Sequence, residues 1–357
     1  LVGVLRNGEG PTIMYRADMD GLPVTEATGL PYASRATGLS LTGEQVQVMH
    51  ACGHDVHMTV LLGVASRMAA QRDDWQGTLL LVLQPAEELG AGARAMLEDG
   101  LFTRFPLPEA ALALHVKASL PAGQLGYVSG FAMANVDEVD LTVFGRGGHG
   151  AYPHATRDPV VLSAQIVLAL QNVISRELSP LDSAVITVGS IHGGTKHNVI
   201  SDEVNLQLTV RSYSDDTRAY LLRRIEEISH GLARTARLPE DRLPVMTIRD
   251  EYTPAVYNNP ALVERTLGLM RASAEVVEIS PVMGGEDFSQ YGRTAEQVPL
   301  FLFALGTVSK ADHSAAARGE LDLPSLHSAR FAPDAAPAIN TGVRAMTAAL
   351  TGLLQPQ

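Results

Sequence analysis

Carboxylate, imidazole and thiol groups gather at four places in this chain. Asp18-Met19-Asp20 follows the apolar run Pro11-Thr12-Ile13-Met14-Tyr15, and Glu87-Glu88 follows Thr78-Leu79-Leu80-Leu81-Val82-Leu83. His115 closes Ala110-Ala111-Leu112-Ala113-Leu114, and His50-Ala51-Cys52-Gly53-His54-Asp55 opens a helical pattern. In an open α/β sheet the loops beyond the carboxyl ends of neighbouring strands converge, so groups far apart in sequence meet in space. Imidazole, thiolate and carboxylate together suit zinc, manganese, cobalt or nickel, whereas calcium and magnesium prefer oxygen ligands. Alone, His115 reads as a satisfied core histidine and Glu87-Glu88 as a solvated loop. Their joint occurrence at successive strand ends points to a metal centre.

Two adjacent glutamates make chemical sense if their roles differ. One carboxylate binds metal, and the other stands free to take a proton from a water whose pKa the metal lowers towards about 7. The oxyanion that then develops needs a donor, and His149 in the turn Gly147-Gly148-His149-Gly150 is an exposed imidazole of the right type. Cys52-Gly53-His54 is too tight for a zinc finger and lacks a second cysteine pair. A thiol-hydrolase nucleophile is the other reading of a lone Cys52, but it leaves the glutamate pair and His115 without use.

These groups need a frame. With 357 residues the chain exceeds the size at which one core usually keeps growing, which predicts two domains. Residues 1–129 alternate short apolar strands with helical stretches at about 54–72 and 92–99, the signature of a mainly parallel α/β sheet. Beyond residue 130 the pattern changes. Val139, Leu141 and Val143 alternate with polar residues as in a half-buried strand, a helix is expected over 158–178, strands over 184–191 and 204–210, a helix over 215–237 and a strand over 245–248. This β-α-β-β-α-β order is that of a ferredoxin-like α+β layer, assigned to 130–242. Residues 243–357 resume the α/β pattern, with a helix over 260–272, a buried strand over 300–305, a flexible loop over 307–325 and a closing helix over 334–354. The first domain is therefore expected to be split by an inserted one.

Composition narrows the partners. A formal charge of −12 repels nucleic acid and anionic membranes, so neither is expected as a partner. No run of about 18 apolar residues is found that would span a bilayer, so no membrane-spanning segment is expected. The single Cys52 excludes an internal disulfide framework, and a cytoplasmic enzyme is the expected class. The chain opens at Leu1 already inside a strand pattern, so an opening helix, and any targeting signal with it, is expected to precede Leu1.

The motifs in order are Arg16-Ala17-Asp18-Met19-Asp20-Gly21-Leu22-Pro23, Met49-His50-Ala51-Cys52-Gly53-His54-Asp55, Gln84-Pro85-Ala86-Glu87-Glu88, Gly147-Gly148-His149-Gly150-Ala151-Tyr152-Pro153-His154, Lys196-His197-Asn198-Val199-Ile200 and Gly284-Gly285-Glu286-Asp287-Phe288. Together they resemble the aminoacylase and carboxypeptidase superfamily of dinuclear metallohydrolases, in the branch of hippurate hydrolases, auxin-conjugate amidohydrolases, N-acetyl-diaminopimelate deacetylases and thermostable carboxypeptidases. The resemblance spans nearly the whole chain. It implies a zinc-exopeptidase-like catalytic domain carrying an inserted dimerisation domain, a homodimer, and two divalent ions (Zn, Mn, Co or Ni). It implies Cys52, His54, Glu88, His115 and His327 as metal ligands, with Cys52 bridging the ions. Glu87 becomes the general acid/base and Asp20 a carboxylate that orients a ligand imidazole. His149 would reach the partner's site to polarise the scissile carbonyl. Asn198 and Arg211 would hold polar groups of a small-molecule substrate, an N-acyl amino acid or short peptide with a free carboxylate. Acetyl, benzoyl, indole-acetyl and short peptidyl groups all fit. The long segments 33–48 and 307–325 flank the expected cleft.

Two rivals remain at this level. Gly90-Ala91-Gly92-Ala93-Arg94-Ala95 fits a dinucleotide-binding G-x-G-x-x-A between strand and helix, though Glu87 and Glu88 beside it would repel a pyrophosphate. The other is a catalytically inactive binding relative that keeps the fold.

Overall fold

A computed structural model describes residues 1–249 and 252–355. In chain order the elements are β1 (Val2–Asn7), β2 (Thr12–Asp18), β3 (Thr37–Leu39), β4 (Gln45–Gln47), α1 (His54–Ala70), β5 (Gly77–Gln84), α2 (Gly92–Glu98), α3 (Leu101–Arg104), β6 (Ala110–Pro121), β7 (Gln124–Tyr127) and β8 (Gly130–Met133). There follow β9 (Asn135–Phe144), β10 (Gly148–His149), α4 (Pro159–Asn172), β11 (Ala184–Gly193), β12 (Val199–Ile200), β13 (Glu203–Ser212), α5 (Asp215–Thr235) and β14 (Val245–Ile248). The last group is β15 (Val256–Asn258), α6 (Pro260–Met270), β16 (Glu275–Glu278), β17 (Leu300–Val308), α7 (Lys310–Ala317) and α8 (Ala335–Leu353).

The chain divides into two compact units. The first comprises Leu1–Ala132, Val256–Pro281 and Glu286–Gln357, and the second Met133–Ala255 with Val282–Gly285. The second unit runs past the limit of 242 expected from sequence. The reason is that β14 pairs antiparallel with β9, Val245 opposite Thr142 and Ile248 opposite Val139.

In the first unit, nine strands among the described residues form one mixed, mainly parallel sheet, with the path β1-β5-β2-β6-β17-β15-β8 and β7 and β16 off it. Strands β2, β5, β6 and β17 run parallel, and β1 lies antiparallel at the edge. They read as near-continuous apolar runs because helices cover the sheet faces. Val56, Val60 and Val64 recur every four residues on α1 and so share one face, packing in one core with Tyr15, Leu79, Leu112 and Phe301 of the strands and Met346 and Leu350 of α8. Strand β6 continues past His115 to Pro121, so His115 lies inside the strand. Its pairing with β2 nevertheless stops at Arg16 opposite Ala113. The expected loop over 307–325 contains α7, and 33–48 contains the β3–β4 hairpin.

In the second unit, β9, β11, β13 and β14 form an antiparallel sheet in the order β11-β13-β9-β14. With α4 and α5 as crossovers this is the ferredoxin-like β-α-β-β-α-β layer. Val139, Leu141 and Val143 point to the face that buries Leu162, Ile166 and Leu170 of α4 and Leu221 and Ile225 of α5. The single helix expected over 158–178 is α4 followed by a π turn at Val173–Glu177. Contrary to the sequence reading, Pro159–Glu177 is apolar and long enough to cross a membrane by length and composition, with 33% of it buried. Within the unit its buried residues belong to the core just described.

Candidate metal centre

The site lies in the first unit, where β2, β5 and β6 end their shared ladder and α1 begins. Three of the connecting residues hold a left-handed backbone: Gly53 at φ 75°, Ala86 at φ 55° and His327 at φ 65°. Gly53 is obligatory there, since a Cβ on it would stand 2.5 Å from Val116 Cγ2. Ala86 and His327 carry the conformation at a cost, of the kind that collects at functional sites. Ala86 precedes Glu87-Glu88, and Gly53 separates Cys52 from His54, so each turn aims donors to the same place.

Several triads of donor atoms converge here, and two of them share Cys52. Ligand atoms of Cys52, His54 and His115 lie within 4.8 Å of one another, as do those of Cys52, Glu88 and His327. Cys52 Sγ is 3.5 Å from His115 Nε2 and 3.3 Å from His327 Nε2. His327 Nε2 is 3.4 Å from Glu88 Oε1, which in turn is 3.9 Å from His54 Nε2. All are buried or half-buried except His327, whose side chain is 54% exposed and leaves the cluster open on that side.

Hydrogen bonds set the tautomers. His54 Nδ1 donates to Asp20 Oδ1 at 3.2 Å, and His115 Nδ1 donates to the Val116 carbonyl at 2.8 Å, so each ring in its neutral form turns the Nε2 lone pair to the cluster. The other oxygen of Asp20 accepts the Glu88 amide at 2.9 Å. Although burial pushes Asp20 up, the bonds from His54 and from Glu88 hold it below the usual aspartate range. His54 Nε2 and Glu88 Oε1 are buried with no hydrogen-bond partner among the described residues. Buried polar atoms are normally satisfied, so two orphans facing each other mark a place for a cation. The thiol agrees. Burial, then the charges of Glu88 and Glu87, push Cys52 up, and a metal ion inverts that balance by deprotonating a coordinating thiol outright. The same upward push runs against Cys52 as an activated nucleophile, which needs a lowered pKa.

Glu87 stands outside the two triads that share Cys52, although its ligand atom lies within 4.8 Å of those of His54 and Glu88, and it is 9% exposed. Burial, with Glu286 and Asp18 nearby, pushes it well above the usual glutamate range against the pull of Arg16. A carboxyl with raised proton affinity is suited to taking up and giving back a proton.

Beneath the triads lies a polar network in which sequence reading assigned no roles. Arg16, fully buried in β2, donates to Gln84 Oε1 at 3.0 Å, Asp18 Oδ2 at 2.8 Å, Glu286 Oε1 at 2.9 Å and Asp287 Oδ1 at 3.1 Å. Asp18 also accepts from His57 Nδ1 in a short bond, and His57 Nε2 accepts the Val116 amide at 2.9 Å. Both His57 nitrogens and both Asp18 oxygens are thus engaged within the protein, although ligand atoms of both residues lie within 4.8 Å of one on His54. Burial pushes His57 down to about 4 despite Asp18, consistent with the neutral ring that these bonds require. Of the other cluster residues, His50 Nδ1 bonds to the Asp20 carbonyl at 3.1 Å and Asp55 accepts the Val56 amide at 3.0 Å. The signal for His57 was its place three residues after His54, on the same helix face.

The dinucleotide reading fails on geometry. Asp287 Oδ2 accepts the Ala93 amide at 2.9 Å, so a carboxylate already occupies the start of α2 where a pyrophosphate would bind. Gly92 serves close packing, because a Cβ there would fall 1.7 Å from the Pro85 carbonyl.

His149, Asn198 and Arg211 belong to the second unit. His149 pairs with Val199 across β10 and β12, and Gly150 donates to the Asn198 carbonyl at 2.8 Å. His149 Nδ1 accepts the Ala151 amide at 3.0 Å, which makes its exposed Nε2 an N–H donor. Arg211 is tethered by Nη1 to the Met283 carbonyl at 2.7 Å and by Nε to Thr209 Oγ1 at 3.2 Å.

An α/β sheet with a five-residue donor set around a shared thiol describes a class of metal-dependent hydrolases, and sequence comparison supplies the family. The chain belongs to peptidase family M20/M25/M40, whose sequence model matches residues 14–329. It is 39% identical over 302 residues to the N-acetyldiaminopimelate deacetylase of Geobacillus thermodenitrificans, covering 84% of this chain and 74% of that one. It is 37% identical over 303 residues to the N-acetyl-L-cysteine deacetylase of Bacillus subtilis, covering 84% and 67%. The crystal structure of Bacillus subtilis YXEP, a dinuclear metal-binding peptidase from the M20 family, superposes with a TM-score of 0.79 at 27% identity, over 99% of this chain and 84% of that one.

Proposed function

We propose that the protein is a metal-dependent amidohydrolase that removes the acyl group from N-acyl amino acids. The observation that carries this reading is the pair of donor triads joined at Cys52, with Glu87 beside them and its proton affinity raised. Cys52, His54 and His115 would hold one divalent ion, and Cys52, Glu88 and His327 the other; zinc, manganese, cobalt and nickel all suit this mixture of sulfur, nitrogen and oxygen. When bound, the ions supply Lewis acidity, which polarises the scissile carbonyl and acidifies water.

The chain's own groups do the rest. Glu87 takes a proton from the attacking water and returns it to the departing amine, a role that its raised proton affinity suits. Asp20 holds the His54 ring and the Glu88 backbone in register. His149, with Nε2 as donor, is assigned to the oxyanion, acting on the active site of the partner subunit in a homodimer. Asn198 and Arg211 are assigned to the free carboxylate of the amino acid. The names of the deacetylase relatives support an N-acyl amino acid as substrate. The edge strand β11, which pairs only with β13 among the described residues and exposes Ile191, and the exposed Val160, Val161 and Leu168 of α4 support dimerisation through the α+β layer. A thiolate ligand favours the cytoplasm, where thiols stay reduced.

The test is a hydrolysis screen of N-acyl amino acids and dipeptides on protein stripped of metal and reloaded with Zn, Mn, Co or Ni. Release of the free amino acid in a metal-dependent manner is expected. Absence of hydrolysis from protein that demonstrably holds two ions would overturn the reading.

A further inference from the structure

We propose that His57, clamped by Asp18, positions the ligand ring of His115 through the Val116 peptide. The inference rests on the reading of His115 as a metal ligand. Three hydrogen bonds in series carry it. Asp18 Oδ1 accepts from His57 Nδ1, His57 Nε2 accepts the Val116 amide at 2.9 Å, and the Val116 carbonyl accepts from His115 Nδ1 at 2.8 Å.

The backbone explains why a side chain is needed there. Strand β2 stops pairing with β6 at Arg16 opposite Ala113, so on that side β6 has lost its neighbour before it reaches His115 and Val116. The Val116 amide would be a buried donor without a strand to accept it, and the His57 ring takes the strand's place. The peptide is held in position, and with it the carbonyl that sets the tautomer and rotation of His115. The His57 and His115 rings also meet edge to face, with centroids 4.8 Å apart. Val116 Cγ2 stands where a Cβ on Gly53 would fall, so the same residue abuts the turn that presents Cys52 and His54. His57 packs against the rings of His54 and His115 but offers no free nitrogen of its own, because both are used. It is a positioning residue, and the chain of bonds begins at Asp18, whose second oxygen is anchored by Arg16 at 2.8 Å.

The experiment compares metal-stripped wild type, His57→Leu, His57→Gln and His115→Ala by titration with Zn against a competing chelator, with thermal melting of each metal-free protein. Outer partners of metal ligands typically contribute about 10–100-fold in affinity. His57→Leu should therefore weaken one of the two ions by about that factor and leave the other unchanged. His57→Gln, which can still donate to Asp18 and accept from Val116, should restore most of the loss. His115→Ala should lose the same ion. If His115→Ala retains both ions, the ligand reading itself fails. If it loses one while folded His57→Leu holds both at wild-type affinity, the positioning role is overturned and the ligand reading stands. A second measurement decides the matter should His57→Leu not fold. In 15N-histidine-labelled wild type, added Zn should shift Nε2 of His115 and leave His57 as a neutral Nδ1–H ring. A metal-induced shift at a His57 nitrogen of the size seen for a ligand would overturn the proposal.

Discussion

Asp20 and His54 are joined at 3.2 Å through the Nδ1 edge of the imidazole, and the second oxygen of the same carboxylate takes the Glu88 amide at 2.9 Å. One side chain thus orients a member of each triad, from β2's end to the start of α1 and to the turn after β5. Asp20→Ala removes both bonds without touching a donor atom. Metal affinity should fall by about 10–100-fold, with both ions affected. Chelator competition on the purified variant checks this, and unchanged affinity would reduce Asp20 to a loop residue.

Glu87→Gln keeps the size of the side chain and removes the proton acceptor. Because Glu87 belongs to neither triad, metal content should stay at the wild-type level while kcat falls by about a hundredfold or more. Near-normal turnover in that variant would end its assignment as the base.

How much of the fold and site is legible in the sequence follows from what each feature depends on. Strands β2, β5 and β17 are buried apolar runs, and β9 and β13 alternate strictly, so their own residues announce them. Helix α7 has no buried residue, and therefore no apolar periodicity to read; it is started by Ser309, whose hydroxyl accepts the Asp312 amide. The β6 strand runs on beyond His115 because β17 continues beside it to Val308, a pairing partner almost two hundred residues away. The site divides in the same way. Cysteine, histidine and glutamate in short motifs advertise a metal centre, but which glutamate is spare depends on convergence in space. Arg16, Asp18, Gln84, Glu286 and Asp287 stand within the motifs without a role that their types alone assign, and His57 is marked only by its place one turn after His54. Their meaning lies in bonds such as Arg16 to Glu286, between residues 270 positions apart.

Cys52 is the atom common to both triads, so its loss should affect two ions together. Cys52→Ser replaces a thiolate with a neutral hydroxyl, a far poorer ligand, and metal analysis after gel filtration should show depletion of both. Unchanged stoichiometry and affinity would make Cys52 a packing residue.

A pH dependence is expected away from the metals. Glu177, on the π turn after α4, accepts from Tyr220 Oη at 2.7 Å and from Arg224 Nε and Nη2 at 2.7 and 2.9 Å. The bonds from Arg224, then Tyr220, hold Glu177 below the usual glutamate range. A carboxylate depressed in the folded state contributes stability above its unfolded pKa of about 4.3 and loses it as pH falls through the folded value. The group is solvent-facing, so Glu177→Gln should cost only about 0.5 kcal/mol at pH 7, with the difference closing in acid. Denaturant melts at several pH values check this, and a difference that widens on acidification would reverse the sign of the argument.

The final prediction concerns the partner subunit. His149 lies in the second unit, outside the unit that holds both triads, and its Nε2 is available as a donor. Removing an oxyanion donor should cost about a hundred- to a thousandfold in kcat with little change in metal content, which His149→Ala tests directly. If the donor acts between subunits, mixing His149→Ala with Glu87→Gln protein should restore activity from two inactive preparations. In the mixed dimer the His149→Ala subunit retains its own Glu87, and its partner supplies an intact His149 to that site. The other site lacks both. Random exchange at equal amounts makes about half of the dimers mixed, so activity should approach a quarter of wild type per subunit if the sites act independently. Confirmed subunit exchange without recovery would show that His149 does not act across the dimer.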